Sequence, residues 1–257
     1  MQVQLLRHAT LLVKMAGKTL LVDPMLAPRS ADEPVPMSAN VVRIPLVDLP
    51  FPAEELPQLL AGVDAVLLTH THRDHWDAVA QQMLPKHLPI LCQPADIDTL
   101  RGQGFTQVLP VEPQLDWEGI RISRTGGQHG TGEIGQMMGT VSGFVLEAEQ
   151  QRLYIAGDTI WCDEVTQALD QHRPTAIVLN AGGAQFLQGD PIVMTAAEVA
   201  KVARYAPHAA VYAVHLETVN HSQEDRAATK AYLTQQGLSN QVHVPADGEW
   251  LPLPQSH

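Results

Sequence analysis

The amino-acid sequence predicts a single domain of the mixed α/β class that spans residues 1–257. From residue 65 onward, short apolar segments typical of β-strands alternate with segments whose pattern is helical. Hydrophobic residues make up 45% of the chain and charged residues 17%, which is an ordinary balance for a folded globular protein. No repeat, low-complexity tract or linker-like change of composition divides the chain, so one domain is the natural prediction.

Three short apolar runs near the N-terminus predict β-strands at residues 3–6, 11–15 and 19–22. Ala16-Gly17-Lys18 is typical of a turn and joins the second run to the third. The chain therefore opens as a set of sequential strands.

A proline-rich loop follows, at about residues 24–57, and it contains eight prolines. A loop of this length is unusual inside a compact domain and often covers a functional site. A surface insertion explains the same pattern equally well, so both interpretations stay open at this point.

The rest of the chain predicts alternating strands and helices. The strand candidates share short apolar runs and lie at residues 65–69, 90–93, 106–109, 120–124, 143–147, 153–156, 176–179, 210–214 and 242–244. The helix candidates share N-terminal capping residues or an amphipathic pattern, and the first two lie at residues 77–84, with Asp77 as N-cap, and at 163–172. A third begins at the capping box Thr195–Glu198 and runs to about residue 205. A fourth has Ser222 as N-cap and runs to residue 236, before Gly237.

The charge and the cysteines restrict the classes of partner. The formal net charge of −12 is a poor match for nucleic-acid phosphates and for anionic membrane surfaces. We therefore expect a small-molecule substrate, with no nucleic acid and no membrane insertion; the oligomeric state stays unknown. The two cysteines, Cys92 and Cys162, are far apart and form no CxxC motif, which favours reduced thiols over a disulfide.

The N-terminal residues indicate the compartment. They show no basic segment followed by an apolar segment, so no secretory signal is visible. No apolar run is long enough to span a bilayer. We expect a cytoplasmic protein.

The run His70-Thr71-His72-Arg73-Asp74-His75 is the strongest functional signal. It follows the predicted buried strand at residues 65–69, so it leaves a strand end and enters a loop. His70 and His72 alternate along an extended backbone and can reach one ion together, while Asp74 and His75 can address a second ion. Imidazole and carboxylate are the ligands expected for zinc and related divalent metals.

Three further strands also end near ligand-type residues. Asp158 follows Gly157 at the end of one apolar strand, His215 follows another, and His129 follows a third through a short glycine-containing stretch. Each of these residues alone is weak evidence. Several strands that deliver His or Asp at their carboxyl ends are typical of an α/β fold that assembles a site at one rim of its sheets.

The order His-x-His-x-Asp-His, then one His, then Gly-Asp, then a last His resembles the metallo-β-lactamase superfamily over roughly residues 3–244. The resemblance implies a four-layer αβ/βα sandwich with two metals in a groove at one edge. It implies that His70, His72 and His129 bind one metal, that Asp74, His75 and His215 bind the other, and that Asp158 bridges them. Within the superfamily, His8-Ala9-Thr10 and Leu20-Leu21-Val22-Asp23-Pro24 resemble the branch of ascorbate-6-phosphate lactonases and N-acyl-phosphatidylethanolamine phospholipases D.

The predicted function is that of a binuclear metal-dependent hydrolase. Two divalent ions, with zinc as the default and manganese, iron or nickel as other options, would hold a hydroxide that attacks a lactone, ester or amide carbonyl. Asp74 and Asp158 are the residues predicted to take part in catalysis.

Three other functions remain alternatives: a phosphodiesterase on the same fold, a mononuclear iron redox enzyme, and a metal-binding protein without turnover. The roles of three residues also stay open. His8 is either packed beside the ligands or itself a ligand, and Asn220 and His221 either line the pocket or cap the following helix.

Overall fold

The first sheet is built from the N-terminal half of the chain. The structure is a computed structural model that describes residues 1–254; the end of the predicted domain, residues 255–257, lies outside the described part. The six strands of this sheet are β1 (Gln2–Arg7), β2 (Thr10–Met15), β3 (Lys18–Val22), β4 (Ala65–Leu68), β5 (Ile90–Cys92) and β6 (Val108–Pro110). They pair in chain order; β1, β2 and β3 are antiparallel, and β3 to β6 are parallel.

The second sheet has seven strands within the described residues. They are β7 (Gln114–Trp117), β8 (Ile120–Thr125), β9 (Gly143–Ala148), β10 (Gln151–Ile155), β11 (Ala176–Asn180), β12 (Ala210–Val214) and β13 (Val242–His243). Pairing is antiparallel from β7 to β10 and parallel from β10 to β13. Both sheets are therefore mixed, with a parallel half formed through helical crossovers.

Seven α-helices lie within the described residues, and two short 3-10 turns, Ala53–Glu55 and Pro94–Asp96, precede α1 and α3. The α-helices are α1 (Leu56–Ala61), α2 (Ala78–Met83), α3 (Ile97–Gly102), α4 (Gly132–Met138), α5 (Asp163–His172), α6 (Ala196–Tyr205) and α7 (Arg226–Gln235).

Alternation along the strands separates three apolar cores. On β4, Ala65 and Leu67 point into a core shared by the two sheets, whereas Val66 and Leu68 pack against the helices of the first sheet. On β12, Tyr212 points into the shared core in the same way, and its neighbours Val211 and Ala213 face the helices of the second sheet. Since a strand presents successive side chains to opposite faces, strands that are apolar on both faces require cover on both sides.

The outer layers supply that cover. Helices α1, α2 and α3 bury Leu56, Ala80 and Leu100 against the first sheet, and helices α5, α6 and α7 pack on the second sheet. The order of layers is helix, sheet, sheet, helix. The predicted four-layer αβ/βα sandwich is confirmed.

One predicted helix start is wrong. Asp225, not Ser222, is the N-cap of α7, and its carboxylate accepts a hydrogen bond from the backbone N–H of Ala228. The backbone between them is not helical, and the N–H groups of Gln223 and Glu224 both donate to the carbonyl oxygen of Gly182. By contrast, Asp77 caps α2 and Thr195 forms the capping box of α6, as the sequence predicted.

The proline-rich segment also differs from its prediction at its C-terminal end. Residues 53–55 form a 3-10 turn and α1 begins at Leu56, so the irregular loop is shorter than the predicted range 24–57. Within residues 1–254, no helix is both long enough and apolar enough to cross a membrane.

Candidate metal centre

The candidate ligands follow the carboxyl ends of strands from both sheets. The chain reaches His70 from β4, His129 from β8, Asp158 from β10 and His215 from β12. Strands β8, β10 and β12 run in one direction, because two antiparallel pairings separate β8 from β10 and the pairings from β10 to β12 are parallel. Their carboxyl ends therefore lie at one edge of the second sheet.

Strained backbone accompanies these strand ends. His8, Asp23 and His215 have φ angles of 61°, 43° and 71°, in the left-handed region that residues other than glycine rarely adopt. The backbone N–H of His215 donates to the carbonyl oxygen of His8 at 2.9 Å, which connects the two sheets at this point. Such strain persists where surrounding contacts fix the conformation, and it concentrates at functional sites.

The first cluster consists of three histidines, His70, His72 and His129. His70 Nε2 and His72 Nδ1 are 3.0 Å apart, and all three residues offer ring nitrogens within 4.8 Å of one another. The outer nitrogens are also engaged: His70 Nδ1 is 3.0 Å from Thr69 Oγ1, and His129 Nδ1 donates to the carbonyl oxygen of Ile192 at 2.7 Å. These contacts orient His70 and His129 with Nε2 directed toward the centre.

The second cluster contains Asp74, His75 and His215, together with His8. Asp74 Oδ2 is 3.8 Å from His75 Nε2, 3.7 Å from His215 Nε2 and 3.2 Å from His8 Nε2. The rings of His8 and His215 are tilted over each other, with centroids 3.6 Å apart. His8 thus lies beside the predicted ligands and can donate a hydrogen bond to Asp74.

Asp158 lies between the two clusters. Its Oδ2 is 3.2 Å from His75 Nε2 and 3.5 Å from His129 Nε2, while its Oδ1 is 3.5 Å from His215 Nε2. The side-chain amide of Asn180, the last residue of β11, donates to Asp158 Oδ1 at 2.7 Å. The carboxylate is 3% exposed and is therefore held almost entirely by protein groups.

Asp23 is a functional candidate to which the sequence analysis assigned no role in the site. Its carboxylate accepts hydrogen bonds from the Thr69 backbone N–H at 2.8 Å and the Thr69 hydroxyl at 2.7 Å, and its Oδ2 is 2.9 Å from His75 Nδ1. A carboxylate that binds the outer nitrogen of a metal-binding histidine fixes the tautomer and orientation of that ring. The signal was present in the sequence, since Asp23 directly follows the strand β3.

The carboxylates of the site favour a positive charge beside them. Burial opposes ionisation of Asp158, yet His75 and His215 hold the pKa of this carboxyl well below its usual range. Burial likewise opposes protonation of His75, but Asp158 and Asp74 raise the pKa of His75 well above that of an ordinary imidazole. The two carboxylates are thus ionised, and a positive charge among them is strongly favoured.

The ring nitrogens of the site indicate that a metal ion can supply this positive charge. His75 Nε2 and His215 Nε2 are both buried and lack a hydrogen-bond partner within the described residues. Buried polar atoms in native proteins almost always have a partner. The site brings together five imidazoles and two carboxylates, and some of the imidazole nitrogens have no hydrogen-bond partner within the described residues. Imidazole and carboxylate are the ligands that divalent transition metals prefer. The residues present therefore fit the metal that the sequence predicts.

A cavity of about 170 Å³ opens beside the two clusters. His72, Asp74, His129, Asp158 and His215 line one side of it. The other side is largely apolar and is lined by Val35, Pro36, Met138, Ala184, Phe186, Ile192 and Val193, with His221 among them.

The proline-rich segment contributes directly to this cavity through Val35 and Pro36. Asn220 holds the segment in place: its side-chain oxygen accepts from the Val35 N–H at 2.8 Å and its amide nitrogen donates to Ser38 Oγ at 2.5 Å. Helix capping by Asn220 and His221 is excluded because Asp225 caps α7. Of the two interpretations that the sequence left open, the segment covers the site.

Comparison with known proteins places the chain in a family. A family model described as "Beta-lactamase superfamily domain" matches residues 18–216, a range that contains all seven candidate ligands. The UPF0173 protein YddR of Bacillus subtilis is 37% identical over 253 residues, which cover 97% of this chain and 98% of YddR.

Two solved structures are similar over nearly their full length. A possible metal-dependent hydrolase from Veillonella parvula has a TM-score of 0.93 and 35% identity, with 98% of this chain and 99% of that chain covered. An isothiocyanate hydrolase from Delia radicum gut bacteria has a TM-score of 0.92 and 36% identity, with the same coverage of 98% and 99%. The chain therefore belongs to the beta-lactamase superfamily domain family.

Proposed function

We propose that this protein is a metal-dependent hydrolase that binds two divalent metal ions and cleaves a small neutral substrate at an electrophilic carbon. The observation that carries the proposal is the pair of ligand clusters that share Asp158 beside a cavity with one polar and one apolar side. A single ion would need three or four of these donors, whereas seven converge.

The ligands divide naturally between two ions. His70, His72 and His129 would hold the first, and Asp74, His75 and His215 would hold the second. Asp158 would contact both ions. Its Oδ2 faces His129 of the first set and His75 of the second, and its Oδ1 faces His215 of the second. Zinc is the default choice for a set rich in imidazole.

The bound metals would lower the pKa of a water molecule and polarise the substrate. The protein residues define where this water and the substrate must lie. Of the two candidate carboxylate ligands, Asp74 is better placed to receive the proton that this water would lose, because its side chain is 13% exposed while that of Asp158 is 4% exposed. His8 can donate to Asp74 Oδ2 at 3.2 Å and so keep this carboxylate oriented toward the cavity.

The shape of the cavity supports a small substrate with an apolar substituent. The cavity has a volume of about 170 Å³, so it holds only a small molecule. Its wall of Val35, Met138, Phe186 and Ile192 is apolar and cannot solvate a charged substituent on the substrate. The similarity to an isothiocyanate hydrolase makes small isothiocyanates the first class to test. Small lactones, esters and amides present the same kind of electrophilic carbon.

A phosphodiesterase is the second candidate, and Arg73 is the observation that favours it. This residue is exposed, lines the cavity beside His72 and Asp74, and forms no ion pair within the described residues. A guanidinium in this position can bind a phosphate. The apolar wall favours the neutral substrate over this alternative.

The test pairs metal analysis with hydrolysis assays. We expect about two equivalents of zinc or manganese per chain in the purified protein, by elemental analysis. Allyl and benzyl isothiocyanate, small lactones, esters and phosphodiesters form the substrate panel, and turnover should stop on chelation and return on adding metal.

Two outcomes would contradict the proposal. Metal at two equivalents without turnover on any of these substrates favours a metal-binding protein without this activity. Turnover restricted to phosphodiesters favours the second candidate and assigns the role of anion binding to Arg73.

A further inference from the structure

His221 lies in the apolar side of the cavity and is used by no step described above. It follows Asn220, which holds the proline-rich segment, and its own carbonyl oxygen accepts hydrogen bonds from the Gln185 N–H at 3.0 Å and from Gln223 Nε2 at 2.8 Å. The main chain is therefore held on both sides, and the residue is only 6% exposed.

The ring of His221 packs against Phe186 but has no polar partner at Nδ1 among residues 1–254. The two rings are stacked, with centroids 5.7 Å apart and an angle of 19° between their planes. Nδ1 is buried without a hydrogen-bond partner. Burial lowers the pKa of His221 to about 4, so the ring is neutral near pH 7 and offers one donor and one acceptor.

A structural explanation of this histidine is weak. Its ring could be replaced by an apolar one without the loss of any side-chain hydrogen bond, and a buried polar atom without a partner is unfavourable for folding. Such a group is expected where a ligand completes its hydrogen bonds. The remaining polar groups of this cavity belong to the metal clusters or to Arg73, so His221 is the neutral polar group on the apolar side.

We propose that His221 binds the substrate directly, through a hydrogen bond from its neutral imidazole to the heteroatom next to the electrophilic carbon. This inference rests on the proposed function and narrows its substrate class. A neutral imidazole stacked on Phe186 selects an uncharged molecule with a hydrogen-bonding nitrogen, oxygen or sulfur and a small apolar substituent. Small isothiocyanates, amides and esters fit this description, and phosphate diesters do not.

The experiment uses three variants of the full chain. His221→Phe keeps the stacked ring and removes the hydrogen bond, and His221→Gln restores a side chain that can donate and accept. His243→Phe is the matched control, because His243 also stacks on an aromatic ring, that of Tyr212, at 5.5 Å and 19°, but lies on β13 and not at the cavity. Each variant is measured for metal content, melting temperature, kcat and KM with allyl and benzyl isothiocyanate.

The expected result is specific to substrate binding. His221→Phe should keep the full metal content and the melting temperature of the unaltered protein, and should lose about tenfold or more in kcat/KM, the effect of one buried hydrogen bond. His221→Gln should recover part of this loss, and His243→Phe should match the unaltered protein. A kcat/KM of His221→Phe within about threefold of that protein would overturn the inference while leaving the proposed function intact.

A binding measurement separates failure of the inference from failure of the proposed function. N-allylthiourea, a neutral analogue with the same heteroatoms, is titrated into metal-loaded protein while the histidine ring nitrogens are followed by NMR. If the isothiocyanates are not hydrolysed but N-allylthiourea shifts the His221 signal and binds at least about tenfold more weakly to His221→Phe, the substrate class is wrong and the role of His221 stands. If neither hydrolysis nor this shift occurs, both fail.

Discussion

Asp23 shows how one buried carboxylate can set the geometry of the metal site without contacting the metal. Its three contacts, two with Thr69 and one with His75 Nδ1, lie within 2.9 Å. Because Thr69 immediately precedes His70, Asp23 orients one histidine of each cluster. The residue is 1% exposed, so water cannot replace these contacts.

Asp23→Asn should weaken metal binding while keeping the fold. The amide has one acceptor oxygen where the carboxylate has two, so the contacts with Thr69 and His75 cannot all be kept. Loss of such a supporting contact typically lowers metal affinity by about 10–100-fold. Competition with a chromogenic chelator measures the affinity. Asp48→Asn is the control, since Asp48 is exposed and accepts one hydrogen bond from the Arg29 N–H. Equal affinities in both variants would contradict the role assigned to Asp23.

The two clusters should lose their metals separately. His72→Ala removes a ligand of the first ion and Asp74→Ala a ligand of the second, so each variant should retain about one equivalent by elemental analysis. The double variant should bind no metal and catalyse no hydrolysis. His208→Ala, at an exposed position, controls for the loss of a histidine elsewhere. Unchanged turnover in a folded double variant would refute the assignment.

The sequence identified the histidines more readily than the residues that support them. The run from His70 to His75 is visible because six consecutive positions contain four ligand-type side chains. Asp23 and Asn180 are single polar residues at strand ends, and their partners, Thr69 and Asp158, lie just past the ends of other strands. Only the pairing of the strands brings them together, so no local pattern could reveal these contacts.

At the level of elements, Asp77 joins helix α2 to the proline-rich segment. Its Oδ1 caps α2 by accepting from the Ala80 N–H at 2.7 Å, and its Oδ2 accepts from the Ala27 N–H at 2.6 Å. Burial raises the pKa of the Asp77 carboxyl, while the hydrogen bonds from Ala80 and Ala27 and the nearby Arg7 oppose this rise. One carboxylate thus satisfies a helix terminus and the start of the proline-rich segment.

Asp77→Ala should therefore cost more stability than loss of a cap alone. A capping side chain contributes about 1 kcal/mol, and a buried N–H left without a partner costs a further 1–3 kcal/mol. We expect a decrease of about 2–4 kcal/mol in the free energy of unfolding, measured by urea denaturation. Asp225→Ala, which removes the exposed cap of α7, should cost about 1 kcal/mol. If the two variants are equally destabilised, the contact between Asp77 and Ala27 contributes nothing.

Asn220→Ala should loosen the cover of the cavity. Asn220 binds the Val35 backbone through both side-chain atoms and also donates to the carbonyl oxygen of Asn40. Without these bonds, amide hydrogen exchange of residues 35–40 should become faster and KM should rise more than kcat falls. The Asn40→Ala variant keeps the backbone carbonyl that Asn220 contacts and serves as control. Unaltered exchange at these residues would show that the hydrogen bonds of Asn220 are not needed to hold the proline-rich segment.

The elements that the sequence missed are short ones that tertiary packing stabilises. Helices α1, α3 and α4 have six or seven residues, too few for a stable isolated helix, and β7 has four. The longer helices α5 and α6 were predicted because their apolar residues recur at helical spacing and α6 has a capping box. Ser222 and Asp225 are equally suitable N-caps by residue type, so the local sequence does not distinguish them. The bonds from Gln223 and Glu224 to Gly182, which fix the chain between Ser222 and Asp225, are not visible in the sequence.

In the molecule as a whole, the candidate ligands come from both halves of the sandwich. The loop after β4 in the first sheet supplies His70, His72, Asp74 and His75, whereas His129, Asp158 and His215 follow strands of the second sheet. Each predicted ion would thus join ligands from the two sheets. The shared apolar core lies between these sheets. Bound metal would act as a cross-link at the open edge of this core.

Metal removal should consequently lower the thermal stability of the entire domain. A ligand that binds only the folded state at 100 times its Kd stabilises it by about 2.7 kcal/mol, which for a chain of this size corresponds to about 5–10 °C in Tm. Loss of the metals would also leave the carboxylates of Asp74 and Asp158 with only the neighbouring histidines as counter-charges. Differential scanning fluorimetry with and without chelator measures the shift, and readdition of zinc should reverse it. The variant carrying both His72→Ala and Asp74→Ala should show no response to chelator. Identical melting of the unaltered protein with and without metal would mean that the seven residues do not join the two sheets through bound ions.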